Sequence, residues 1–172
     1  KRLKNKNIYP VNGKPMILYT IDACKESKYD IDVWVSTDSH LIKLLCKDIG
    51  VNIHDRDPEL AGDSVYKQVV IRSASRYLKE RNILGDITLS LQANSPTITN
   101  KEIDSCIDAL IKYKRDEIIS VDKDLMQDAS IRVFRGEYVF QEDLSTNCGV
   151  VITDLFDVHT LEDVMHVEKI ML

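Results

Sequence analysis

The residues best suited to chemistry lie in loops, and the first group stands at the start of the sequence. Lys1 and Lys6, with two further cations, place four positive charges within the first seven residues, and Asn7 closes this segment. The apolar stretch that would follow the basic start of a signal peptide is missing. Two interpretations stay open: a solvated basic arm, or part of a loop that handles phosphate groups.

Arg56 lies in a second polar loop, between a short β-branched run and a helical pattern. A guanidinium in this place can donate two parallel hydrogen bonds to a phosphate. The simplest alternative is a surface ion pair with the acids around it. The earlier Ser36–Ser39 loop either caps the helix that follows or forms a wall of a nucleotide or sugar pocket.

Gln92, Asn94 and Ser95 leave a third apolar run without a charge among them. Neutral side chains that donate and accept hydrogen bonds suit the recognition of sugar hydroxyls, because a site built for a hydroxyl rejects analogues that lack it. A polar turn ahead of a capped helix is the alternative.

Asp157 and His159 precede the last helical pattern and are two residues apart, so in extended backbone they share a face. The carboxylate could hold Mg²⁺ against phosphate oxygens, since Mg²⁺ usually takes one or two protein carboxylates and completes its shell with water and phosphate. Otherwise Asp157 caps a turn and His159 is a lone surface histidine.

Helices and strands alternate in the pattern that must position these loops. Helical spacing occurs at 17–24, 41–45, 66–78 and 103–111, and capping boxes at Thr99–Glu102 and Thr160–Asp163 start the last two helices. β-Branched runs predict strands at 31–35, 51–54, 86–91, 117–121 and 149–153. This order predicts a three-layer α/β fold with a mostly parallel sheet, helices on both faces and a small β-hairpin around Gly136.

Ligands of such sheets bind beyond the carboxyl ends of the strands, which is where the polar loops lie. The 172 residues predict one domain, and the net charge of −5 argues against nucleic acid as a partner. The apolar runs are too short to span a membrane. Four widely spaced cysteines indicate reduced, buried thiols in a cytoplasmic protein.

Several segments then match a known family in order and spacing. They are Lys1–Ile8, Asn12–Ile17, Ser36–Ser39, Arg56–Asp63, Leu91–Pro96, Ile119–Val121 and Asp157–Asp163. Together they resemble the acylneuraminate (CMP-sialic acid) cytidylyltransferases over nearly the whole chain. The resemblance implies the fold of nucleotide-diphospho-sugar transferases, and an enzyme that joins CTP to an acidic sugar and releases pyrophosphate.

The resemblance also implies roles for the candidate residues. Lys1, Lys6, Asn7 and Arg56 would bind the nucleotide, with Lys6 and Arg56 as the catalytic cations on the phosphates. Gln92, Asn94 and Ser95 would face the sugar. Asp157 would take the first of two metal positions for a Mg²⁺ cofactor, and the protein would be a homodimer.

The sequence departs from this family in three places. His159 stands where the second metal carboxylate is expected, and imidazole is a poorer partner for Mg²⁺ than carboxylate oxygen. The family's opening strand, expected before Lys1, and part of the 122–148 region are also absent. Two alternatives follow: a nucleotidyltransferase with another nucleotide or acceptor, and a non-catalytic nucleotide-sugar-binding module.

Overall fold

Helices and strands alternate in the computed structural model, which describes residues 3–62, 64–143 and 145–172. The helices are α1 (Met16–Lys25), α2 (His40–Asp48), α3 (Lys67–Lys79), α4 (Asn100–Lys112) and α5 (Leu161–Ile170). The strands are β1 (Pro10–Val11), β2 (Lys14–Pro15), β3 (Trp34–Thr37), β4 (Asn52–Asp55), β5 (Ile87–Leu91), β6 (Glu117–Val121), β7 (Gln127–Arg135) and β8 (Cys148–Ile152). Both predicted capping boxes are present, at the starts of α4 and α5.

The larger sheet has the strand order β5-β7-β6-β8. β6 and β8 are parallel, whereas β7 runs antiparallel to both of its neighbours. β3 and β4 form a separate parallel pair, and β1 and β2 a two-residue antiparallel ladder. The predicted α/β fold is confirmed, with β7 as the strand that runs against the others in the larger sheet.

Consecutive residues of β7 show the three layers, because successive side chains of a strand point to opposite faces. Val133 packs into a cluster with Leu110 of α4, and Phe134 packs with Ile71 of α3 and with Val139. α3 and α4 therefore cover opposite faces of this sheet, as predicted.

The predicted hairpin around Gly136 is wrong. Residues 132–134 belong to the long strand β7, and residues 138–140 belong to a 3₁₀ turn, Gly136–Phe140. Gly136 ends the strand because its φ of 48° lies in the left-handed region. β7 instead forms a hairpin with β6 through a tight turn, in which the Asp122 amide donates to the Met126 carbonyl at 2.9 Å.

The predicted apolar stripe of α3 is also shifted. Tyr66 is the N-cap residue and is 73% exposed, and the buried face of the helix carries Gln68, Ile71 and Ser75. Val70, Ala74 and Leu78 of the predicted stripe border a cavity, which Ile71 and Ser75 also line. The shift arises because α3 faces the larger sheet on one side and this cavity on another.

The cavity has a volume of about 760 Å³ and extends between β3 and β5. Within the described residues these two strands are not paired with each other, so their facing edges form its sides. Residues of α1 and α3 also line it, and the buried Thr88 hydroxyl within it has no hydrogen-bond partner in the part of the chain that the structure describes. Ser36, Gln92 and Asn94 line the end of the cavity where β3 and β5 end, and Asp30, Asp32 and Asp86 line the end where these strands begin.

The four cysteine thiols are free, and those of Cys24, Cys46 and Cys106 are buried, as predicted. Cys148 is partly buried. In the ranges that the structure describes, every helix is too short or too polar to cross a membrane.

Candidate active site

The end of the cavity where β3 and β5 end brings together the loops that follow β3, β4 and β5. The Arg56 amide, directly after β4, donates to the Thr37 carbonyl at the end of β3, at 3.1 Å. Thr20 of α1 donates its hydroxyl to the Gln92 carbonyl after β5, at 3.0 Å. The first bond ties the loop after β4 to the end of β3, and the second ties the loop after β5 to α1.

Arg56 makes the predicted surface ion pair and also borders the cavity. Its Nη2 donates to the Asp38 carboxylate at 2.8 Å, and this bond lowers the pKa of Asp38. Its Nε is buried and lacks a hydrogen-bond partner within the described residues. The Asp38 pair uses one nitrogen of the guanidinium, so further donors remain for a ligand in the cavity that Arg56 borders.

His54 stabilises the wall beside Arg56. Its Nδ1 lies 2.9 Å from the Ser36 hydroxyl, and its ring packs against Tyr77 at a centroid distance of 4.8 Å. Burial, together with the nearby Arg56 charge, lowers the pKa of His54. The Ser36 side chain is therefore held by the wall itself.

The three residues predicted to read sugar hydroxyls differ in their placement. Gln92 and Asn94 border the cavity. The side-chain amide of the buried Asn94 donates to the Val158 backbone carbonyl at 3.1 Å, and the Asn94 backbone carbonyl accepts from the Val158 backbone amide at 2.8 Å. Ser95 is fully buried and donates to the Phe156 carbonyl at 3.4 Å. In this structure Asn94 and Ser95 hold the segment that carries Asp157, and their contact with sugar stays a prediction.

Asp157 lies in that segment and accepts a hydrogen bond from the Ser130 hydroxyl at 3.2 Å. Burial raises the pKa of its carboxyl, against the opposing effects of hydrogen bonds from Ser95 and Ser130 and of the charges of His159 and Lys67. Asp128 lies nearby and fixes Ser130 by accepting from its backbone amide at 2.8 Å.

His159 is not a lone surface histidine. Its exposed ring places Nδ1 3.4 Å from the Lys6 ammonium, and its carbonyl accepts from the Leu3 amide at 3.1 Å. The N-terminal segment thus runs beside the loop before α5, and Asn7 borders the cavity. Lys1 lies outside the described residues.

These residues fit Mg²⁺ in part. The described portion of the chain has no cluster of three or more His, Cys, Asp or Glu side chains that could hold a metal ion. Asp157 offers one carboxylate, which is enough where phosphate and water complete the shell. The Nδ1 atom of His159 lies 3.4 Å from the Lys6 ammonium, and the role of His159 as the second ligand stays a prediction.

Lys67 is the site residue that the sequence reasoning missed. It is the first residue of α3 and borders the cavity, and it feels the charges of Asp157 and Asp128. Burial and the charge of Arg132 lower its pKa to about 8, against the opposing effect of the two carboxylates. A lysine directly after a polar, glycine-containing loop at a helix start was the available signal.

Two arginines lie between β6 and β8 in the chain, and both make hydrogen bonds to interior groups. Arg132 pairs with the fully buried Glu117 and donates to Gln68 at 2.8 Å. Arg135 donates to the Arg115 and Leu110 carbonyls, at 3.0 and 2.9 Å. Both guanidinium groups therefore stabilise the fold.

Open α/β sheets bind nucleotides beyond the carboxyl ends of their strands, and this site has the cations and neutral amides that such ligands require. The architecture is thus that of a nucleotide-binding α/β protein. A family model described as "Cytidylyltransferase" matches residues 1–166, and the chain belongs to this family. The predicted family is confirmed.

Individual relatives agree with this membership. The chain is 32% identical to N-acylneuraminate cytidylyltransferase A of Danio rerio over 121 residues, covering 70% of this chain and 27% of the relative. It is 27% identical to the post-translational flagellin modification protein B of Campylobacter coli, covering 98% of this chain and 88% of the relative. The chain spans less than a third of the N-acylneuraminate cytidylyltransferases of Danio rerio and Streptococcus agalactiae that it matches.

Solved structures show the same fold. A CMP:2-keto-3-deoxy-manno-octonic acid synthetase, solved with CTP, superposes with a TM-score of 0.77 at 14% identity, covering 99% of this chain and 93% of the other. A 4-diphosphocytidyl-2C-methyl-D-erythritol synthase from Anaerococcus prevotii gives 0.64 at 15% identity, covering 94% and 88%.

Proposed function

We propose that the protein transfers CMP from CTP to the anomeric hydroxyl of an acidic, sialic acid-like sugar and releases pyrophosphate. The observation that carries the proposal is the convergence of Arg56, Gln92 and Lys67 on one cavity in a chain of the cytidylyltransferase family. The names of the relatives support CTP and an acidic sugar as the two substrates.

In the proposed reaction the anomeric oxygen attacks the α-phosphorus in line. A bond forms between that oxygen and the α-phosphorus, the bond from the α-phosphorus to the β-phosphate oxygen breaks, and the hydroxyl proton passes to solvent. Phosphoryl chemistry of this kind asks the protein mainly for positioning and charge stabilisation. Arg56 and Lys6 would bind the triphosphate and Gln92 the sugar, while Asn94 and Ser95 hold the Asp157 segment in place.

Mg²⁺ is the proposed cofactor, and Asp157 would hold it together with phosphate oxygens and water. When bound, the ion offsets the negative charge of the triphosphate. The role of this chain's own residues is to orient Asp157 through the Ser130 hydroxyl, within the electrostatic reach of Lys67 at the cavity.

We also propose a homodimer in the cytoplasm. Val150 and Ile152, on one face of the edge strand β8, are 56% and 60% exposed, and Leu125 and Met126 are exposed in the adjacent β6–β7 turn. An exposed apolar patch of this kind is typical of an interface. The free thiols suit a reducing compartment.

Pyrophosphate release tests the function. The protein is incubated with each of the four ribonucleoside triphosphates and a panel of sialic, legionaminic, pseudaminic and 3-deoxy-octulosonic acids, with and without Mg²⁺. We expect release with CTP and at least one acidic sugar together. Release with another nucleotide would favour the alternative transferase, and no release with any pair would favour a binding module.

Arg56→Leu is the matching variant. Losing a charged hydrogen-bond donor to phosphate costs about 1.5–3 kcal/mol, so the Kd for CTP should rise by roughly 10- to 100-fold. Arg76→Leu removes the same charge from an exposed position on α3 and serves as the control. Equal CTP affinity in the two variants would remove Arg56 from the proposed site.

A further inference from the structure

Lys67 is a half-buried lysine at the start of α3 that borders the site. It borders the cavity together with Gln92 and Asn94, and it lies near the carboxylates of Asp157 and Asp128. Burying an ammonium is costly unless anionic groups accompany it. The two carboxylates stabilise the Lys67 ammonium and the cationic Arg132 destabilises it, so a bound anion would stabilise it further.

Arg56 shares the cavity with Lys67, whereas two further arginines nearby are held by interior groups. Among the described side chains that line the cavity, the positively charged ones are Arg56 and Lys67. Arg56 pairs with Asp38. Arg132 and Arg135 bind interior groups. A negatively charged group in the cavity therefore meets the side chains of Arg56 and Lys67.

The start of α3 is fixed by a buried network directly beside Lys67. The Gln68 amide donates to the Val139 carbonyl at 3.0 Å, and its oxygen accepts from Arg132 at 2.8 Å. Arg132 is in turn held by the buried Glu117. Such a network places the neighbouring lysine without requiring it to reorganise when a ligand binds.

We propose that Lys67 binds a negatively charged oxygen of a reactant beside Asp157, either on a phosphate of CTP or on the carboxylate of the sugar. This inference rests on the proposed cytidylyl transfer and adds a residue that reads the charge of a substrate. Its lowered pKa of about 8 still leaves the amine mostly cationic at neutral pH.

Calorimetric titration of CTP and of N-acetylneuraminate, each in turn, tests the inference on the wild type, Lys67→Met, Lys67→Arg and a control. Lys79→Met is the control, because Lys79 ends the same helix, is exposed and pairs with Glu137 away from the cavity. We expect Lys67→Met to weaken one of the two ligands by roughly 10- to 100-fold, as for the loss of a charged hydrogen bond. Lys67→Arg should recover part of that affinity, and Lys79→Met should match the wild type.

The two sources of the anion give different results. Weaker CTP binding with unchanged sugar binding assigns Lys67 to a phosphate, and the reverse assigns it to the carboxylate. Affinities of Lys67→Met within twofold of the wild type for both ligands overturn the inference, as does a wild type that binds neither. Thermal melts of each variant confirm folding. Failure of the proposed transfer is separate, since it appears as absent pyrophosphate release by a wild type that still binds its ligands.

Discussion

Glu117→Gln removes one charge of an ion pair that lies inside the protein. Glu117 is fully buried, and Arg132 is 8% exposed. Arg132 donates through both Nε, at 2.9 Å, and Nη2 to one Glu117 oxygen, while the Gln141 amide donates to the other at 3.3 Å. The variant keeps the shape of the side chain and leaves the guanidinium charge without its carboxylate.

The expected loss of stability is large. Removing one member of a buried ion pair costs about 3–5 kcal/mol, because the remaining charge stays buried and uncompensated. A protein of this length loses about 2–4 °C of Tm for each kcal/mol, so Tm should fall by roughly 6–20 °C. Typical domains have only about 5–15 kcal/mol of total stability, so the loss is a large part of it.

The assay is urea unfolding followed by the fluorescence of Trp34, the single tryptophan, and by circular dichroism. The double variant Glu117→Leu/Arg132→Met is measured alongside Glu117→Leu and Arg132→Met. It removes both charges at once, so it should cost at least about 2 kcal/mol less than the sum of its two single variants. A loss below about 1 kcal/mol for Glu117→Gln, or losses that simply add in the double variant, would refute this reasoning.

Three further predictions concern pH, thiol reactivity and capping. The pKa of His54 is lowered in the folded protein, so the stability that neutral His54 contributes is fully present above its unfolded pKa of about 6.5 and is lost as pH falls through the folded pKa. The midpoint of urea unfolding should therefore fall between pH 8 and pH 5, and His54→Asn should reduce this fall. Burial raises the pKa of Cys24 to about 11 and that of Cys106 to about 12. A disulfide reagent at pH 8 should therefore modify the partly buried Cys148 first, and equal rates of modification for all thiols would contradict this burial. Thr160→Ala should lower the free energy of unfolding by about 1 kcal/mol, and Thr160→Ser should keep most of it. An unchanged free energy of unfolding in Thr160→Ala would show that the capping box contributes nothing.

Local signals in the sequence predict most of the elements. The capping boxes at Thr99 and Thr160 and the β-branched runs act over three to five residues, so they can be read without the rest of the chain. β7 could not be placed in this way. Residues 130–134 are all buried, and a strand without alternating exposure gives no sign of its neighbours or direction.

The site shows the same limit. The polar loops after the strands predicted where the site residues lie, and the structure brings Arg56, Gln92 and Asn94 to one cavity. The contact of Lys6 with His159 joins residues 153 positions apart, which local patterns cannot indicate. Lys67 was missed because the predicted helix over 66–78 includes it, and a single lysine in an amphipathic helix looks like a surface residue.

The central claim is that the α-phosphorus of CTP is transferred to an acidic sugar. The most direct measurement follows [α-³²P]CTP and, in parallel, [γ-³²P]CTP with the protein, Mg²⁺ and an acceptor sugar, and separates the products. We predict that the α-label enters a sugar nucleotide while the γ-label enters pyrophosphate in equal amount. A γ-label found in inorganic phosphate or on the sugar, or an α-label that never reaches a sugar nucleotide, would contradict the account.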